Sequence, residues 1–141
     1  MNAEEMWARS GLTGKWDAWS FGEAPDKLGA LVLAGQKTAT ASAFPLYEQD
    51  LEPLPRVGEY SVIMDSKNRA LCIIRTTKVY VAPFCEVSPA HAAKEGEGDL
   101  SLAYWRQVHR DFFAREMEGA GLAFTEQMPV VCEEFEMVYP K

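Results

Sequence analysis

Tyr60-Ser61-Val62-Ile63-Met64, then Asp65-Ser66-Lys67-Asn68, then the run from Leu71 through Cys72-Ile73-Ile74 to Val79-Tyr80-Val81 is the stretch on which the fold turns. β-branched and aromatic residues crowd both flanks, and such side chains fit the pleated, half-buried surface of a strand. The polar tetrapeptide between them has the composition of a turn. The segment therefore predicts a hairpin with strands over about 58–64 and 70–81. Upstream, Thr38, Thr40 and Ser42 alternate with Ala39 and Ala41, which predicts a strand over 38–42. Downstream, Pro129 precedes a partly alternating run that predicts a closing strand over 130–139.

Helical periodicity fills the spaces between these strands. Leu28, Leu31 and Val32 follow Pro25-Asp26 at helical spacing, and Gly35 stands where a left-handed cap ends a helix, so a helix is predicted from about Asp26 to Ala34. Phe44 to Leu51 suits a short helix broken by Pro53-Leu54-Pro55. Ser88-Pro89 reads as an N-cap followed by proline at the first helical position, predicting a helix over Ala90 to Glu95 that ends at Gly96-Glu97-Gly98. From Asp99 to about Gly119, Leu102, Trp105, Val108, Phe112 and Phe113 form one apolar stripe. The opening segment, with Met6, Trp7, Trp16 and Trp19 around Gly11-Leu12-Thr13-Gly14, reads as two short helical pieces that brace or cover a larger body. These elements define an α+β fold on a small, curled, mostly antiparallel sheet; the regular βαβ alternation of a doubly wound sheet is lacking.

The 141 residues fit a single domain spanning 1–141, with 1–24 as a Trp-rich extension packed on it. Hydrophobic residues at 48% and charged residues at 25% exclude disordered, collagenous and low-complexity architectures. A net charge of −7 disfavours an extended basic nucleic-acid surface and leans toward a small ligand. No apolar run approaches bilayer length and the first residues are acidic, so a membrane partner is not expected and a cytoplasmic location is. Cys72, Cys85 and Cys132 are widely spaced, with no C-x-x-C pair, which predicts three reduced thiols in the core. Nothing in the sequence requires a metal or another cofactor, and the oligomeric state is not written in it.

No G-x-S-x-G, Walker loop, H-E-x-x-H or G-x-G-x-x-G occurs. Gly96-Glu97-Gly98 is acidic, unlike a phosphate cradle, and reads as a break between helices. Lys37 and Thr40 sit where a helix gives way to a strand, and a bend there can turn both inward. A neutral amine beside a hydroxyl can take its proton as the oxygen attacks a carbonyl. That requires a lysine to drop from about 10.4 to roughly 7–8, and burial must provide the shift. The same residues also suit a solvated helix-end charge and ordinary strand threonines. Arg75 suits either a carbonyl or phosphate contact or a carboxylate pair. Tyr104 lies off the apolar stripe and suits a pocket wall, whereas Trp105 lies on it and suits the core. His109 reads as a hydrogen-bonded packing residue, His91 as a helix-surface residue sharing a face with Glu95, and Ser101 as a helix cap.

Gly35-Gln36-Lys37-Thr38-Ala39-Thr40-Ala41-Ser42 resembles the G-x-K-T-x-T-x-S segment of ASCH-domain proteins. Trp19-Ser20-Phe21-Gly22, Cys72-Ile73-Ile74-Arg75-Thr76-Thr77, Glu95-Gly96-Glu97-Gly98-Asp99 and Ser101-Leu102-Ala103-Tyr104-Trp105 with His109 resemble the longer bacterial branch of that family. The resemblance implies a PUA-like β-barrel with helices around it. A smaller relative removes the acetyl group of N4-acetylcytidine with a Lys, Thr and Glu triad. Its K-T-x-T matches Lys37 and Thr40, and its glutamate matches Glu95 through His91-Ala92-x-x-Glu95. The implied chemistry is attack by the Thr40 hydroxyl, with Lys37 as base and then acid, and Glu95 orienting Lys37 or water. Thr38, Ser42, Arg75 and Tyr104 are the candidate substrate-binding residues. An ionised Glu95 would raise the basicity of Lys37, so either desolvation dominates or Glu95 is protonated. The alternatives from the same resemblance are a noncatalytic module that binds RNA or a nucleotide-like ligand, and a ribonuclease. The expected partner is a nucleoside or short RNA.

Overall fold

In the computed structural model, which describes residues 1–141, the chain runs α1 (Ala3–Ser10), β1 (Trp16–Trp19), α2 (Pro25–Leu33), β2 (Ala39–Ala43), α3 (Phe44–Asp50), β3 (Tyr60–Met64) and β4 (Ala70–Pro83). A 3-10 turn (Phe84–Glu86) then leads to α4 (Pro89–Glu95), α5 (Leu102–Gly119) and β5 (Pro129–Tyr139). The hairpin β3–β4 stands where its sequence places it, with Val62 opposite Ile73 and Ser61 opposite Ile74. Successive strand residues point to opposite faces, and both faces of this hairpin are covered. Val62 and Ile73 pack under Ala3 and Met6 of α1, while Ile63, Cys72 and Ile74 pack under Leu28 and Val32 of α2. Each fully buried aliphatic side chain contributes about 1.5–3 kcal/mol.

The five strands lie in the order β1-β3-β4-β5-β2, parallel between β1 and β3 and antiparallel elsewhere. Two expectations are corrected here. Trp16–Trp19 is not helical but an edge strand, paired through Trp16 with Tyr60 and Trp19 with Ile63; four residues are too few to show a period, and the pairing partner lies over 40 residues away in sequence. The sheet also does not close into a barrel. β1 and β2 are its opposite edges, and a cleft of about 720 Å³ is lined by both, with Trp16, Asp17 and Trp19 from one and Thr40, Ala41 and Ser42 from the other. Irregular register at Ile73/Ile74 and Thr76/Lys78 bends the long strand β4 against β5 and curls the sheet without joining its edges.

The second half of the core lies at the other end of the sheet. Trp105, Phe113 and Met117 of α5 pack with Phe84, Ala43, Val130 and Cys132. α5 starts at Leu102, not Asp99, because the Ser101 hydroxyl accepts the Tyr104 N–H at 3.1 Å and caps the helix. Cys72 and Cys132 are buried thiols, whereas Cys85 is exposed on the 3-10 turn, contrary to the expected three core cysteines. No helix is long and apolar enough to cross a membrane.

Candidate active site

Lys37 reaches its place through the way α2 ends. Gly35 adopts φ +78° and the N–H groups of Gln36 and Lys37 both bond back to the Leu31 carbonyl at 3.0 and 3.1 Å, which turns the chain toward α4. There the Thr38 N–H donates to the Lys94 carbonyl at 2.7 Å and the Gln36 amide to the Gly96 carbonyl at 2.6 Å. Lys37 is consequently 2% exposed. Its ammonium lies 3.3 Å from Glu95 Oε1, 3.2 Å from Glu97 Oε2 and 3.4 Å from the Glu95 carbonyl, over the ring of Phe21. Nζ thus meets three acceptors, one for each hydrogen an ammonium carries.

Glu95 is 1% exposed and receives four donors. His91 Nε2 and Trp105 Nε1 stand 2.7 and 2.6 Å from Oε2, and Lys37 and His109 Nε2 stand 3.3 and 3.4 Å from Oε1. Burial alone would raise its pKa, but Lys37 and the two histidines outweigh burial and hold it well below the usual 4.5. Four donors around its two oxygens favour the ionised carboxylate over the protonated alternative. Burial pushes the His109 pKa down, yet the hydrogen bond and charge of Glu95 bring it above 6.5. Nδ1 of His109 faces the Trp105 carbonyl at 2.9 Å and so carries a proton, leaving Nε2 to donate toward the carboxylate. His91 is not a helix-surface residue: it is 1% exposed, and its Nδ1 has no partner. Trp105 is core, as its stripe position implied, and also a donor to the site.

Lys37, Thr40 and Glu95 line one recess of about 210 Å³, with Tyr104, Glu97, His109 and Phe21. This recess adjoins the larger cleft, the two sharing Phe21, Gly22, Thr40, Ala41 and Phe112. No hydrogen bond joins Thr40 to Lys37; the lysine is instead held by the two glutamates. Ser42 lies in the larger cleft, bonded to the Tyr47 hydroxyl at 2.8 Å. Thr38 faces the Lys94 carbonyl at 3.3 Å and serves the junction rather than the cavity. Arg75 lines neither cavity; it is half-buried on β4, its Nε 3.9 Å from Glu136 Oε1 and without a hydrogen-bond partner. Glu97 was missed because it follows the helix end, where no periodicity marks which way a side chain turns. Glu95, Glu97 and His109 have ligand-type atoms within 4.8 Å of one another, but the Lys37 ammonium already lies between the two carboxylates.

A curled α+β sheet whose helix-to-strand bend sets a buried lysine against a glutamate beside an open cleft defines the class. The ASCH domain family matches residues 17–139, and the chain belongs to it. This is a PUA-like family associated with RNA binding and nucleoside processing. Among solved structures, the ASCH domain from Lactobacillus crispatus JV V101 is 32% identical, with a TM-score of 0.91 over 96% of this chain and 93% of that one. Protein EF3133 from Enterococcus faecalis V583, of the DUF984 family, is 34% identical, with a TM-score of 0.84 over 98% of this chain and 90% of that one. The hypothetical protein PH0355, 19% identical with a TM-score of 0.54 over 88% of this chain and 99% of that one, shares the fold alone. No curated protein matches the chain.

Proposed function

We propose that the protein is a hydrolase of a modified nucleoside that cleaves the amide of an N4-acylated cytidine-like base. The observation that carries this reading is that Lys37 and Thr40, joined by one bend, and Glu95, from α4, border one recess opening on a larger cleft. In the reaction Lys37 first passes its extra proton to Glu97, whose side chain is 17% exposed and has access to solvent. The neutral amine then takes the Thr40 hydroxyl proton as Oγ1 bonds to the acyl carbon. Collapse of the tetrahedral intermediate breaks the bond from carbon to N4, and Lys37 returns the proton to the departing nitrogen. Water then hydrolyses the Thr40 ester and releases the carboxylic acid. Glu95, its four donors already in place, fixes Lys37 rather than a water.

Steady-state turnover of N4-acetylcytidine tests this. Lys37→Ala and Thr40→Val are each expected to lower kcat on the order of 10³-fold. No turnover by the unaltered protein, or an unchanged rate in the Lys37 variant, overturns it. A second reading, a noncatalytic module that binds RNA or a nucleotide-like ligand, draws on the engagement of Lys37 with Glu95 and Glu97 rather than with Thr40. Incubating defined oligonucleotides with the protein and its Lys37 variant separates that reading from ribonuclease activity, since only the last shortens the strands.

A further inference from the structure

The larger cleft holds a second carboxyl that the hydrolytic scheme does not use. Glu133 stands on β5 directly across from Thr40 in the antiparallel register, so both side chains leave the same face and both line the cleft. Glu133 is only 9% exposed. Its Oε2 accepts the Thr76 hydroxyl at 2.6 Å, while Oε1 has no hydrogen-bond partner in the protein and opens on the cleft. An oxygen left open on a carboxyl this enclosed is placed to accept a hydrogen bond from a bound ligand. Around it, Trp16, Trp19, Tyr60 and Phe112 supply flat apolar walls, the surroundings a planar ring needs.

We infer that Glu133, held by Thr76, is the specificity-determining residue of this cleft, and that its unpaired oxygen accepts the exocyclic N–H of an aminopyrimidine ring. This rests on the nucleoside reading above and adds the part of the site that selects the base. Held there, the exocyclic nitrogen lies beside Thr40, the cross-strand neighbour of Glu133. Burial raises the Glu133 pKa, the Thr76 hydrogen bond lowers it, and Asp17 and Glu59 raise it, leaving it above 4.5. The remaining titratable and charged groups of the cleft are Tyr47, Tyr60, Glu52, Glu116 and Lys15, so four other carboxylates line it with Glu133 against one cation. An acceptor at that oxygen matches the N4–H of cytosine. Uracil presents the acceptor O4 at the same place and gains nothing from that oxygen.

Titration with cytidine, which cannot be deacylated, tests the clamp by quenching of tryptophan fluorescence. Glu133→Ala is expected to weaken cytidine binding about tenfold or more, with uridine binding little changed. Glu133→Gln, which keeps the shape together with one donor and one acceptor, guards against loss of folding and is expected to retain cytidine binding. Equal cytidine affinity in Glu133→Ala and the unaltered protein overturns the inference, as does a preference for guanosine. Because no turnover is read, the clamp fails or stands separately from the Lys37 chemistry: loss of deacylation in Lys37→Ala with cytidine binding intact leaves it untouched.

Discussion

Glu95 has all four of its acceptor positions occupied, and that fixes what its replacement does. In Glu95→Gln the ammonium of Lys37 and the imidazolium of His109 stay buried with their nearest counter-charge gone, and His91 and Trp105 face an amide that returns only one acceptor oxygen. Breaking a buried pair from one side costs about 3–5 kcal/mol, so urea denaturation is expected to show a loss of that size, and a loss under about 1 kcal/mol would contradict the role given to Glu95. The same cluster sets a pH window. The lowered pKa of Glu95 contributes stability present above 4.5 and lost as pH falls through its folded value, whereas the raised pKa of His109 contributes stability present below 6.5 and lost as pH rises through its folded value. Melting temperature across pH is expected to fall on both sides of that interval, and His109→Gln to flatten the alkaline fall only. At this scale the sequence is readable where residues share an element: Lys37 with Thr40 across one bend, His91 with Glu95 across one helical turn. Glu97 and Glu133 are not readable, because one lies past a helix end and the other matters only through a strand that pairs with it from 93 positions away.

The bend that carries Lys37 and the end of α4 are built against each other, and glycine is what lets them touch. Gly96 has φ +74°, and a Cβ there would run into the Gln36 carbonyl and come within 3.1 Å of the Lys37 Cα. Gly96→Ala is therefore expected to cost about 2 kcal/mol for the left-handed backbone and more for pushing the segment 36–38 away. It is also expected to lower kcat beyond what its melting temperature explains, since Lys37 moves with its backbone. The control is Ser88→Ala, which removes the hydroxyl accepting the His91 N–H at 3.1 Å at the far end of the same helix; about 1 kcal/mol of stability is expected to go with kcat retained. Equal effects of the two variants on kcat would remove the close approach from any special place in the site. Caps and glycines made these helices legible because capping is local chemistry. β1 was not, since Trp16–Trp19 owes its strand form to β3 and to Trp7, whose ring stacks on Trp16 at 5.4 Å.

Over the whole molecule, what sequence and family resemblance left undetermined is the gap between the sheet edges. The order of strands follows from pairings that span most of the chain, and a closed barrel is the natural expectation from a curled, mostly antiparallel set; yet β1 and β2 stay apart and face a common cleft. Charge then decides what that opening can hold. Asp17, Glu52, Glu59, Glu116 and Glu133 line it against Lys15 alone, in a chain of net charge −7. A phosphate brought there meets like charge at close range, which disfavours binding and slows encounter. Cytidine 5′-monophosphate is accordingly expected to bind about tenfold more weakly than cytidine, the difference narrowing as salt screens the repulsion within a Debye length of about 8–10 Å, while cytidine binding stays level. A protein that tracks an RNA backbone behaves in the opposite way, losing affinity steeply with salt as counterions compete for its cationic contacts. Isothermal titration at low and high salt with cytidine, its monophosphate and a short cytidine-containing oligonucleotide distinguishes the two. Tight oligonucleotide binding that collapses with salt would move the ligand from a free nucleoside to a strand, and would require a cationic path that the lining of this cleft does not supply.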